Sequence, residues 1–167
     1  ELQGRPLEDQ FTNWNIMIKT PYDKDKVDAY TRTRVILMNG IENNAVLTSH
    51  AIARMTENDE IKRKMASIRR ADSQHQETVD WLNPGNQSIL ETTIAYEQVA
   101  VDLTANLAKN EPDDYFRQVL DYALLEDFDH LYRYSLLMKM LENKDAEKIV
   151  QGKTEIKPGI DCFGKLV

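Results

Sequence analysis

The sequence is short of most residues that would cross-link, break or anchor a chain. It has one cysteine, Cys162, which excludes a disulfide framework within the chain and any four-cysteine iron or zinc centre. Six glycines and five prolines in 167 residues are too few for a turn-rich sheet protein and suit long uninterrupted helices. No apolar run approaches the roughly 18–20 residues needed to span a bilayer, and no signal-peptide pattern precedes Trp14. Basic residues are outnumbered, 21 to 28, and the resulting charge of −7 argues against nucleic acid or an anionic membrane as partner. The expectation is one domain with one sizeable core, in a reducing, cytoplasmic-type compartment.

What is present is helical periodicity in four stretches. The first is expected from Pro21 to Met55, with Thr20 as its N-cap and Asp23 in its first turn. The second follows "TENDE" and runs to Leu82, where "NPGN" makes a turn. The third opens on a capping box, Ser88 to Glu91, and reaches Ala108. The fourth begins at Pro112, with Asp113 and Asp114 in its first turn, and continues past Leu141 towards Gly152. Residues 1–19 and 153–167 have no strong period and read as an N-terminal arm and a C-terminal tail around a helical domain at 20–152.

These helices repeat. Glu42 and Glu97, Asp72 and Asp127, and His75 and His130 are each 55 residues apart, so each half reads Glu, then Asp-x-x-His 30 residues later. The expected inward face of the second helix is Ile61, Met65, Ile68, Asp72, His75, Val79 and Leu82. On the fourth it is Phe116, Leu120, Ala123, Asp127, His130, Tyr134 and Leu137. Asp and His three apart share one helix face, about 60° apart, and reach one ion beside the helix. Four inward carboxylates without cations would repel one another and hold protons, whereas two divalent cations would neutralise them. Carboxylate with imidazole suits iron or manganese, and zinc less selectively. Simple antiparallel hairpins bring all six residues to one height, within about a turn of helix.

The stretches "GIENNAV", "RRADSQH", "AYEQVAV" and "LLEDFDH" resemble the ferritin-like di-metal carboxylate superfamily, which includes rubrerythrins and ferritins. The resemblance covers about residues 30–140. It implies an all-α, up-down-up-down four-helix bundle holding two iron ions, or manganese, and acting as an oxidoreductase on ferrous iron, dioxygen or peroxide. Carried over, Glu42 and Glu97 match the terminal carboxylates, Asp72 and Asp127 the bridging carboxylates, and His75 and His130 the imidazole ligands. Two departures stand out. Asp replaces the family's Glu in both x-x-His motifs, which shortens each bridging arm by one methylene. The "NPGNQ" connection reaches at most about 20 Å against a helix of about 36 Å, so the family's long crossover is excluded unless helices swap between subunits. In its short hairpin halves the chain also looks like a fused duplicate of the two-helix encapsulated ferritins. A homodimer is expected.

Bland roles stand beside these. Asp127 and His130 alone would suit a hydrogen-bonded pair or a solvent-facing one. His50 lies about 80° round its helix from Glu42 and reads as a surface residue. Glu126 is the alternative ligand to Asp127, Tyr134 is core packing, a hydrogen bonder beside the metals or a redox-active phenol, and Met38, Met65 and Met138 are core filler. Gly40 would permit close helix approach, and "NEPDD" supplies caps. The competing functions are a non-catalytic iron- or metal-binding protein and a structural helical bundle with a vestigial site.

Overall fold

A computed structural model describes residues 20–160, and every regular element among them is a helix. Four are long: α1 (Ala29–Met55), α2 (Asp59–Asp80), α3 (Ile89–Asn110) and α4 (Asp114–Glu142). The short α5 (Glu147–Val150) follows. No helix among the described residues is long and apolar enough to cross a membrane. The expected arm at 1–19 and Cys162 lie outside the described residues.

The helix starts show which signals act locally. Asn58 caps α2 by accepting from the Glu60 and Ile61 amides. Ser88 and Glu91 close the expected capping box on α3. Asp113, placed inside α4 by the sequence reading, is instead its N-cap and accepts from the Phe116 amide at 2.7 Å.

Two boundaries differ from expectation. α1 starts at Ala29, eight residues after Pro21. The intervening stretch is held off the helix axis by tertiary bonds: the Tyr22 amide donates to the Leu82 carbonyl, and the Lys24 ammonium to Glu91. The side-chain amide of Gln151 then clamps the α1 start, accepting from the Ala29 amide at 2.9 Å and donating to the Val27 carbonyl at 3.0 Å. α4 stops at Glu142 because Asn143 turns left-handed (φ 50°), short of the expected Gly152. Gln151 and Gly152 then also take positive φ, ending α5.

The chain divides into two compact units. In the one built on Val35–Gly85, α1 and α2 form an antiparallel hairpin. As α1 advances through Asn39, Glu42 and His50, its partners on α2 step back through Asp80, His75 and Arg69. Its core is thin, with Val35, Ile36, Ser49 and Ala71 buried.

The other unit takes Lys24–Arg34 and the chain from Asn86 onward. Here α3 and α4 run antiparallel, tied by Ser88 to Glu142 at one end, with Glu97 facing His130 further along. The unit's buried residues include Ile94, Ala95 and Val101 of α3, Leu120, Leu131 and Met138 of α4, Ile149 and Val150 of α5, and Val27 and Ala29. Residues 153–160, after α5, form no helix and pack on the unit: Thr154 is buried, and the Ile160 amide donates to the Leu125 carbonyl.

The expected inward faces are only partly covered. Leu120 is buried, but Phe116 is 49% exposed, Ile61 41%, and Tyr134 and Leu137 37% each. Met138 is core and Met65 half-buried, whereas Met38 is exposed. The covered side of α4 is rotated towards Leu131 and Met138, and towards Asp129, whose buried carboxylate accepts from Arg133 at 2.6 Å.

Candidate metal centre

The hairpin of α1 and α2 brings Glu42 of one helix to Asp72 and His75 of the other. All three are half-buried, and one ligand atom from each lies within 4.8 Å of the others. His75 Nδ1 stands 3.7 Å from Glu42 Oε2, beyond hydrogen-bond reach. The two groups converge without satisfying each other. Ligand atoms around one octahedral cation at about 2.1–2.3 Å are separated by about 3.0–4.5 Å, so the residues fit a single ion with a small contraction. Two carboxylates and a neutral imidazole would balance its two positive charges.

The same relation recurs in the other unit. His130 Nδ1 lies 3.8 Å from Glu97 Oε2. Burial pushes the Glu97 carboxyl above the ordinary glutamate range; His130 opposes the shift and the negative charge of Asp127 adds to it. Asp127 is therefore electrostatically coupled to Glu97, although no further group of three or more potential ligands among the described residues converges as the first does. Both imidazoles are open to solvent, with side chains 44% exposed at His75 and 51% at His130, while Glu42 and Glu97 are 17% and 19% exposed. In each unit the glutamate is the sheltered partner and the histidine the accessible one.

The secondary candidates separate. His50 is exposed and close to the Arg69 guanidinium at 2.5 Å, as a surface residue would be. Glu126 is half-buried, with Asp127 the neighbour that acts on Glu97. A Cβ on Gly40 would meet nothing within 4 Å, so the close-approach reading of that glycine does not hold. "NEPDD" caps α4, with Glu111 accepting from the Asp113 amide.

Sequence reasoning missed a set of buried polar groups in the second unit: Arg32, Gln98 and the Asp102 carboxylate. Gln98 is fully buried and donates to Thr154, whose hydroxyl donates to Asp102 at 2.8 Å. Burial pushes the Asp102 carboxyl up, against that hydrogen bond. Gln98 and Asp102, four apart on α3, were the available signal, but their partner lies 52 residues on from Asp102.

No protein-family model, curated protein or solved structure matches this chain.

Proposed function

We propose that the two triads, Glu42/Asp72/His75 and Glu97/Asp127/His130, are divalent-metal sites. Each chain would take two iron ions, with manganese as the alternative, and act as an oxidoreductase on ferrous iron, dioxygen or peroxide. The observation that carries this reading is the recurrence, 55 residues apart, of one glutamate–histidine approach at nearly one distance. A solvent-facing accident has no reason to repeat its spacing on two helix pairs. A ferritin-like, up-down-up-down bundle belongs to the same proposal, supported by the repeat and by two antiparallel hairpins.

The residues divide the work. Glu42 and Glu97, each sheltered against a neighbouring helix, would anchor the ions. Asp72 and Asp127 add the second negative charge, which lowers the cost of placing a dication there. His75 and His130 supply a neutral nitrogen from the open side, where small reactants arrive. A bound iron or manganese ion would contribute a reversible one-electron change and open coordination positions.

The test is metal content and turnover together. Metal-free protein reconstituted anaerobically should retain about two ions per chain and oxidise ferrous iron faster than a protein-free blank. The exposure of both histidines favours one second reading, a site that takes up and releases metal without turnover. Retained metal with oxidation no faster than the blank would select it. No retained metal would leave a structural helical protein with vestigial triads.

A further inference from the structure

Away from the triads, the second unit contains a cavity of about 390 Å³ between the start of α3, the end of α4 and α5. Its wall is rich in cations for an acidic protein: Lys24, Arg32, Lys139, Lys144 and Lys148 face Asp25, Glu91 and Asp145, with Glu142 standing 2.8 Å from Lys144, an excess of one positive charge. Two of the lysines are already engaged. Glu91, itself buried, accepts from Lys24 at 2.9 Å and pairs with Lys144 at 3.2 Å. Lys139 and Lys148 have no carboxylate within ion-pair distance among the described residues.

Arg32 is the telling group. It is 3% exposed, and one terminal nitrogen donates to the Ile149 carbonyl, but its Nε–H is buried with no partner. A buried guanidinium left partly unmatched carries a desolvation penalty, and its charge in the wall favours an anion in the cavity. Ordinary folding stability does not call for such a group beside two unpaired lysines, because like charges gathered in a concave site repel.

We propose that this cavity binds a small organic phosphate monoester. A phosphate dianion matches the two ammonium groups that lack a carboxylate partner, Lys139 and Lys148, and offers several acceptor oxygens for them beside the Arg32 charge. The cavity is in the size range of small-ligand pockets and has room for more than the phosphate alone. Met138 and Ile149 give it an apolar floor, and Asn143 and Gln87 add polar side chains for an organic portion bearing hydroxyls. The site is independent of the metal reading, since it shares no residue with either triad.

The experiment is calorimetric titration of the full metal-free chain at low ionic strength with ribose 5-phosphate, inorganic phosphate, ribose and succinate. Ribose 5-phosphate should bind, inorganic phosphate more weakly, and ribose not at all. The double variant Lys139→Gln/Lys148→Gln changes two exposed side chains and should keep the fold while losing more than about tenfold in affinity. Arg32→Met should lose at least as much, and Arg32→Lys should recover less than the wild-type value, with helix content followed by circular dichroism. His75→Ala/His130→Ala should bind ribose 5-phosphate as the wild type does. Absence of phosphate binding at millimolar concentration would overturn the proposal. So would equal affinity for succinate, or unchanged affinity in the double lysine variant.

Discussion

Glu42 and His75 face each other across α1 and α2 at 3.7 Å, too far for a hydrogen bond and close enough to share an ion. Glu97 and His130 repeat the relation at 3.8 Å. Only the first is joined by a third converging ligand, Asp72, so under the proposed metal reading the first site should hold its ion the more tightly. If both proposed sites load, His75→Ala and His130→Ala should each reduce retained metal from about two ions per chain to about one, and the double variant to none. Both rings are substantially exposed, so thermal stability of the metal-free protein should move by less than about 1 kcal/mol. Elemental analysis after desalting, with a parallel thermal melt, checks both parts. Loss of both ions in either single variant would show that one ion depends on the other.

Glu97 makes the opposite trade between stability and function. Its carboxyl is raised by burial, which means that the ionised form is disfavoured in the folded chain. Folding is therefore penalised at pH above the raised value, and the penalty vanishes below the ordinary glutamate range, where both states are protonated. Glu97→Gln should stabilise the metal-free protein at pH 7, within the ~0.5–2 kcal/mol typical of single stabilising substitutions. It should give no gain near pH 3 and should lose the metal of its triad. Urea melts at the two pH values and one metal assay decide the matter.

How far this could be read from residues alone follows the range of each interaction. The Ser88–Glu91 box spans four residues, so the α3 start was legible. The start of α1 was not, because the amide that clamps it belongs to Gln151, 122 residues away from Ala29. The six ligand candidates were visible through their repeat, which survives whatever the helices pack against. The faces around them were drawn too apolar: Phe116 and Tyr134 read as core by spacing but stand partly in solvent. Asp129 stood outside the expected inward face, yet it is buried, and Arg133, one turn on, pairs with it. The cationic cavity left no clear sequence signature, since Lys24 and Arg32 join Lys139, Lys144 and Lys148 only by folding across more than 100 residues.

Glu91 gives the clearest acid dependence. Burial would raise its carboxyl, but hydrogen bonds from the Ser88 amide, Lys24 and Lys144 outweigh burial and hold it below the ordinary value of 4.5. A depressed folded value contributes stability that is present above the unfolded value and is lost as pH falls through the folded one. Glu91→Gln should cost about 1–3 kcal/mol at pH 7, because Lys24 then faces an uncharged amide, while Lys144 keeps Glu142 at 2.8 Å. The gap between variant and wild type should close progressively below pH 4.5. Chemical denaturation at pH 7, 5 and 3 measures it, and a gap independent of pH would assign the loss to packing.

Gly159 offers a test of the segment that follows α5. A Cβ built there would fall 1.9 Å from the Leu125 carbonyl oxygen and 2.4 Å from the Asp129 nitrogen, both backbone atoms of α4. No side-chain rearrangement can relieve that clash, so the segment must lift away or α4 must yield. α4 is capped at both ends and packed along Leu131 and Met138, which makes the segment the weaker party. Lifting it breaks the Ile160–Leu125 hydrogen bond and withdraws Lys157 from the face of Phe128, 4.3 Å away. Gly159→Ala should therefore destabilise the protein by about 2–4 kcal/mol, as overpacking against a fixed surface does. The Ile160 amide should exchange its hydrogen much faster, while helix content stays within error of the wild type. If the Ile160 amide stays protected and helix signal falls instead, α4 has yielded, and the segment is a structural support for the helix that carries Asp127 and His130.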